Sequence, residues 1–169
     1  MDKIVFLDFD GVLNTEHYQG MLQSQGKSWK DEHGPLFDPS SVEQLKRIIE
    51  ETGADIVVES FWKYLGLDAM KKLWEDRALP GMIIDVTPLS VVDDYVKEYL
   101  NDINGSKFHC KGMEIASWLS EHGNSATRYV IIDDEYVVLD SQLSNFILTN
   151  PFEGITKEQA DKAISILCG

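Results

Sequence analysis

The chain is poor in cysteine, in basic residues and in long apolar runs. Its two cysteines, Cys110 and Cys168, have neither metal-ligand spacing nor the density of a disulfide framework, so we expect a reduced chain. Lys and Arg number 15 against 29 Asp and Glu, and the resulting charge of −14 disfavours an extended nucleic-acid surface or an anionic membrane. No run approaches the roughly 18 apolar residues of a membrane span. The first run, residues 4–7, is too short for a signal-peptide core, which predicts a cytoplasmic protein.

The overall composition is that of a folded globular protein. Hydrophobic residues make up 43% of the chain and charged residues 26%. A length of 169 residues fits one domain, so we predict a single domain over residues 1–169. Residues 14–39 are polar, mix glycine with aromatics and show no clean period. We predict that they form a flap-like insertion, because a connection of this length is usually functional or mobile.

Short apolar runs alternate with helical patterns along the chain. The runs predict buried strands at residues 4–7, 56–58, 82–86, 129–132 and 146–148. Helices are predicted at 40–51 with a Ser40/Glu43 capping box, near 69–74, 92–100 and 113–119, and after Thr156 with Gln159. This alternation predicts a mainly parallel sheet covered on both faces. Ligands of such sheets bind at the carboxyl ends of the strands, so the residues after each run are the functional candidates.

Carboxylates follow two of the predicted strands. Asp8 and Asp10 flank Phe9 after the first strand, and Asp133 with Asp134 follows the fourth. Adjacent carboxylates repel one another unless a cation lies between them. Several carboxylates at strand ends provide the hard oxygen ligands that Mg²⁺ prefers. A bound magnesium ion would also supply the positive charge that an acidic protein needs to bind an anionic substrate.

The order of these motifs resembles that of a known enzyme superfamily. Residues 6–13, FLDFDGVL, resemble the first motif of the haloacid dehalogenase (HAD) superfamily. Ser60, Lys111 and the Asp133-Asp134 pair stand where its later motifs lie. Over nearly the whole chain, the sequence is similar to the HAD domain family associated with Swiss-army-knife RNA-repair proteins. That similarity is carried by Phe37-Asp38-Pro39, Trp62-Lys63, Lys111-Gly112, Glu114-Ile115 and Gly154-Ile155-Thr156.

The resemblance implies a catalytic role for four residues. Asp8 would be the nucleophile that attacks phosphorus and forms an aspartyl-phosphate. Asp10 would protonate the leaving oxygen and then activate water. Ser60 would donate a hydrogen bond to a phosphoryl oxygen, and Lys111 would set its ammonium against the phosphoryl group and Asp8. The implied activity is that of a magnesium-dependent phosphatase.

The same resemblance implies a metal site and substrate contacts. Mg²⁺ would be held by Asp8, Asp133 and the backbone carbonyl of Asp10. Asp134 would be a further ligand of the ion or would contact one of its ligands. Gly11, Asn14 and Lys63 are the substrate-binding candidates. Taken alone, Lys63 is also consistent with an ordinary surface lysine. Trp62 is more consistent with a packing residue than with a residue that stacks on a base.

The implied fold is a HAD-like Rossmannoid three-layer α/β sandwich. It contains a five-stranded, mainly parallel sheet in the order 3-2-1-4-5, and the spacing between motifs holds no full cap domain. An open site would accept a phosphorylated small molecule or a nucleic-acid end. No extended nucleic-acid surface and no membrane partner are expected, and the chain is expected to be a monomer or a small homo-oligomer.

One departure from the family pattern leaves an alternative open. Glu59 and Phe61 flank Ser60 where the family has small residues, and a carboxylate aimed at the site would repel phosphate. Alternation along the strand predicts that Glu59 points away from Ser60. The alternative function is a weak or inactive HAD domain that binds a phosphorylated ligand or a partner. A two-component receiver domain fits poorly, because there the phosphorylated Asp ends a later strand, where this chain has Glu59-Ser60.

Overall fold

The computed structural model describes residues 2–89 and 108–169. Within them, the strands are β1 (Lys3–Leu7), β2 (Lys30–Asp31), β3 (Gly34–Pro35), β4 (Asp55–Val58), β5 (Ile83–Val86), β6 (Arg128–Asp133) and β7 (Phe146–Leu148). The helices are α1 (Glu16–Ser24), α2 (Pro39–Thr52), α3 (Leu67–Asp76), α4 (Phe108–His122) and α5 (Lys157–Cys168). Short 3₁₀ helices span Phe61–Leu65 and Asp140–Asn145. The helix predicted at residues 92–100 lies outside the described residues.

Five parallel strands form the main sheet in the order β5-β4-β1-β6-β7. This is the predicted order 3-2-1-4-5. Successive side chains of β1 point to opposite faces, so Val5 and Leu7 join one apolar cluster while Ile4 and Phe6 join another. Helices α2, α3 and α5 cover the first face and α4 covers the second, so the predicted three-layer α/β fold is confirmed. The carboxyl ends of β1, β4 and β6 meet at one edge of the sheet.

Two details of the predicted helices are wrong. Helix α2 begins at Pro39, and its N-cap is Asp38 rather than Ser40, because the Asp38 side chain accepts a hydrogen bond from Ser40 N. Proline fits the first helical position, where its missing N–H leaves no intrahelical bond unmade. The pattern that predicts the helix near 113–119 places Met113, Ile115 and Trp118 on one apolar face toward the core; in α4, Ile115 and Trp118 are buried, but Met113 is 44% exposed. The Thr156/Gln159 capping box of α5 is confirmed.

Residues 14–39 contain more regular structure than their pattern indicates. They include α1 and a small antiparallel hairpin formed by β2 and β3. Thr15 caps α1 by accepting a hydrogen bond from Tyr18 N, but Leu22 is the one buried residue of the helix, so its apolar period is weak. Among the described residues, no helix combines the length and the apolar character needed to cross a membrane.

Candidate active site

Asp8 follows β1 directly and lies at the centre of the carboxyl edge. Its backbone N–H donates to Ile132 O at 3.1 Å, which continues the pairing of β1 with β6, and the residue is 4% exposed. The Asp8 carboxylate accepts a hydrogen bond from Phe9 N at 2.9 Å. Because these contacts involve backbone groups, the orientation of Asp8 is fixed by the fold itself.

Three carboxylates and one lysine form what we call the acidic cluster: Asp8, Asp133, Asp134 and Lys111. Each carboxylate offers one oxygen within 4.8 Å of the others. Lys111 Nζ lies 2.8 Å from Asp133 Oδ2 and 3.7 Å from Asp8 Oδ2. The structure therefore brings together three of the four acids that the sequence places after two separate strands, leaves the Asp10 carboxylate out of this group, and adds the predicted lysine from the first turn of α4.

The acidic cluster is electrostatically strained. Burial, followed by the negative charge of Asp133, raises the pKa of Asp8 well above its ordinary value. Burial also raises the pKa of Asp134 to about 6. Although burial alone lowers it, the charges of Asp8 and Asp133 raise the pKa of Lys111 above its ordinary value. Among the described residues, one ammonium group thus serves three carboxylates, and a divalent cation bound by oxygen would relieve the remaining repulsion.

The loop after Asp8 needs a glycine. Gly11 has φ +74°, a left-handed conformation, and a Cβ at this position would overlap the Asp134 carboxylate. Its backbone N–H donates to Asn14 O at 2.9 Å, and Thr149 Oγ1 donates to its carbonyl at 2.8 Å. Gly11 therefore lets the loop turn tightly against the acidic cluster, and its role in substrate binding stays a prediction.

Asp10 is exposed and is held by two side chains. Asn14 Nδ2 donates to Asp10 Oδ1 at 2.9 Å, so this predicted substrate contact lies against the predicted general acid. Trp62 Nε1 lies 3.2 Å from each oxygen of Asp10. Trp62 also packs against the aromatic core, as expected, but its hydrogen bond to a residue 52 positions away has no signal in the sequence.

Ser60 lies at the carboxyl end of β4 and is buried. Its Oγ accepts a hydrogen bond from Trp62 N at 3.3 Å and so caps the short 3₁₀ helix that follows. The Phe61 ring centroid is 5.5 Å from Lys111 Nζ, which places this aromatic residue at the rim of the acidic cluster. Phe61 is 43% exposed and stacks on Tyr64.

Glu59, Lys63, Thr87 and Glu114 form a second buried group, which we call the lysine cluster. Lys63 Nζ donates to Glu59 Oε1 at 3.3 Å, to Thr87 Oγ1 at 2.9 Å and to Glu114 Oε2. Thr87 Oγ1 also lies in hydrogen-bond contact with Glu59 Oε2. Burial raises the pKa of Glu59 to about 8.

The lysine cluster corrects one interpretation of Lys63 and disfavours another. Lys63 is 6% exposed, so its interpretation as a surface residue is wrong. Because two carboxylates and a hydroxyl already surround its ammonium, this placement disfavours a phosphate contact, which stays a prediction. Glu59 is directed to Lys63 and Thr87, so the feature that suggested an inactive domain has a structural partner.

Comparison with known families agrees with this arrangement. A model of the family described as "HAD domain in Swiss Army Knife RNA repair proteins" matches residues 4–160. The match covers more than half of the chain, and the chain therefore belongs to this family. No curated protein and no solved structure gives a match.

Proposed function

We propose that this HAD-family protein is a magnesium-dependent phosphatase of phosphate monoesters that works through Asp8. Family membership supports a hydrolase of the phosphatase type. The observation that carries the finer proposal is the acidic cluster, in which the buried Asp8 carboxylate lies 3.7 Å from Lys111 Nζ and close to two further acids. An arrangement so unfavourable without a cation is expected at a functional site.

The donor set fits a hard divalent cation. Asp8, Asp133 and Asp134 offer carboxylate oxygens within 4.8 Å of one another, as Mg²⁺ requires. These three residues would hold the ion, which supplies positive charge that draws in the phosphate and offsets its negative charge. The raised pKa values of Asp8 and Asp134 agree with a site whose carboxylates ionise fully on binding a cation.

The proposed reaction has two steps. A carboxylate oxygen of Asp8 bonds to phosphorus, the ester P–O bond breaks, and the leaving oxygen takes a proton from Asp10. A water molecule then attacks phosphorus and gives its proton to Asp10, and the bond between phosphorus and Asp8 breaks to release phosphate. Ser60 and Lys111 hold the phosphoryl oxygens during both displacements, so the chain's own contribution is mainly position and charge.

The substrate class that we propose is broader than the one that the family description suggests. The family description concerns RNA repair, which supports a nucleotide or nucleic-acid end as substrate. The charge of −14 disfavours extended contact with a polynucleotide backbone. We therefore propose that the protein binds the terminal phosphate and makes few contacts with the rest of the nucleic acid. A phosphorylated small molecule is the alternative substrate.

Phosphate release from an aryl phosphate with and without Mg²⁺ tests the proposal. We expect turnover that needs the metal and falls by about three orders of magnitude or more in Asp8→Asn, because the nucleophile is lost. Glu59→Gln is the matched control, since it removes a buried carboxylate from the lysine cluster, and it should retain activity within about threefold of the wild type. Equal rates in Asp8→Asn and wild type would rule out Asp8 as the nucleophile. No metal-dependent turnover on aryl phosphates, nucleotides and end-phosphorylated oligonucleotides would favour the ligand-binding alternative.

A further inference from the structure

We propose that Trp62 is a positioning residue for Asp10, which it holds with one carboxylate oxygen left for proton transfer. This inference rests on the proposed function, because it assigns a task to Asp10 in that reaction. The indole N–H lies 3.2 Å from both Asp10 oxygens, although the two residues are 52 positions apart. Since the indole N–H can only donate, this contact orients the carboxyl group without competing for its proton.

The two oxygens of Asp10 are not equivalent. Oδ1 accepts from Asn14 Nδ2 at 2.9 Å and shares the Trp62 N–H, whereas among the described contacts Oδ2 has only its share of the indole N–H. Oδ1 is thus the anchored acceptor. Oδ2 is the oxygen that would carry the proton to the leaving group and later take one from water, because a protonated carboxyl keeps its second oxygen as an acceptor.

Trp62 is itself fixed from several sides. Its backbone N–H donates to Ser60 Oγ at 3.3 Å, which ties it to a proposed phosphate ligand. Its ring packs edge-on against Phe9 at 5.4 Å between centroids and lies 5.7 Å from the ring of Phe37. A side chain held by packing in this way can hold a hydrogen-bond partner to within a fraction of an ångström.

The hairpin formed by β2 and β3 completes this support. Gly34 lies against the outer edge of the indole, and a Cβ there would sit 3.2 Å from Trp62 Cη2. Arg77, which caps the end of α3, fastens the hairpin by donating to both oxygens of Asp31 at 3.0 and 2.7 Å and to Gly34 O at 3.0 Å. The predicted flap therefore contains a hairpin that packs against the Trp62 indole and helps to fix its position.

The chain offers a matched control in Trp74. This residue also packs against Phe9, at 5.7 Å, and Phe37, at 6.4 Å, in the same aromatic group. Its indole N–H, however, donates to Pro80 O at 2.9 Å rather than to a site residue. Trp62→Phe and Trp74→Phe thus each lose one indole hydrogen bond and similar packing, but only Trp62→Phe loses the contact with Asp10.

Two substrates separate positioning of the acid from general damage. Phenyl phosphate and 4-nitrophenyl phosphate have nearly the same shape, but phenol is the poorer leaving group and depends more on proton donation. We expect kcat/KM of Trp62→Phe to fall about tenfold more on phenyl phosphate than on 4-nitrophenyl phosphate, as part of the acid's contribution is lost. Asp10→Asn should show the same preference more strongly, and Trp74→Phe should lower both rates by the same factor.

A readout without turnover distinguishes the failure of this inference from that of the proposed function. Four tryptophans give four indole N–H signals in a ¹H–¹⁵N spectrum, and Trp62→Phe identifies the signal of Trp62. We expect this signal to move in Asp10→Asn. An active wild type in which Trp62→Phe affects both substrates alike, or an unmoved signal, would overturn the inference alone. If the signal moves in Asp10→Asn but the wild type shows no metal-dependent turnover, the proposed function is overturned, and with it the positioning role of Trp62 in that reaction.

Discussion

The acidic cluster and the lysine cluster lie near each other at the carboxyl edge of one sheet, yet they handle buried charge in opposite ways. In the lysine cluster, Lys63 donates directly to two carboxylates and to Thr87. In the acidic cluster, Lys111 contacts Asp133 closely and Asp8 more distantly. Because burial keeps Glu59 protonated below about pH 8, Lys63 has one charged carboxylate, Glu114, to balance, whereas Lys111 faces three acids in the acidic cluster. Buried charged groups alone therefore do not indicate a functional site. Buried charged groups that lack enough counterions do indicate one.

Lys63→Met is expected to have the largest effect on stability. It leaves Glu59 and Glu114 buried beside each other without their shared cation, so the free energy of unfolding should fall by about 3–5 kcal/mol. Urea unfolding followed by circular dichroism measures this loss. Lys157→Met is the control, because Lys157 is 70% exposed in its ion pair with Asp161 and should matter little. Equal losses of stability in Lys63→Met and Lys157→Met would mean that Lys63 does not compensate the buried acids of the lysine cluster.

Asp134→Asn should weaken the response of the protein to Mg²⁺. At a concentration one hundred times its Kd, the ion would stabilise the wild type by about 2.7 kcal/mol. For a chain of this size that corresponds to a rise of roughly 5–10 °C in Tm. We expect the variant to show a smaller rise, together with a higher Tm than the wild type in the absence of metal, because one repelling carboxylate is gone.

The control for the magnesium experiment comes from a second group of possible ligands. Glu32, His33 and Asp76 also place donor atoms within 4.8 Å, but Asp76 already pairs with His33 at 2.8 Å and with Lys72 at 2.9 Å. Asp76→Asn should therefore leave the magnesium-induced rise in Tm unchanged. A rise that survives in Asp134→Asn and disappears in Asp76→Asn would relocate the metal site.

Glu59→Gln should chiefly change the pH dependence of stability. The folded pKa of Glu59 is about 8 against an ordinary 4.5, so the folded chain keeps a proton that the unfolded chain releases. The stabilising contribution of this carboxyl is therefore complete below about pH 4.5 and is lost as the pH rises through 8. Relative to the wild type, the variant should gain stability between pH 5 and 8 in urea unfolding, whereas the exposed Glu158→Gln should not. Parallel pH profiles of Glu59→Gln and wild type would contradict this assignment.

Local patterns predicted much of this molecule. The strand order and the meeting of Asp8, Asp133 and Asp134 follow from apolar runs with acids at their ends, combined with the family resemblance. The side-chain partners did not follow, because Trp62 with Asp10 and Lys63 with Glu114 join residues distant in the chain and depend on how the elements pack. The domain bounds and the catalytic roles of Asp8, Asp10, Ser60 and Lys111 stay predictions.

Detection of a phosphoryl group on Asp8 tests the central claim most directly. The protein is mixed with Mg²⁺ and 4-nitrophenyl phosphate, whose leaving group depends little on proton donation, quenched in acid during turnover and digested for mass spectrometry. We predict that the peptide containing Asp8 carries one phosphoryl group, and that Asp10→Asn accumulates more of it because the second step has lost its base. Metal-dependent turnover with no phosphoryl group on Asp8 in either protein would contradict the account.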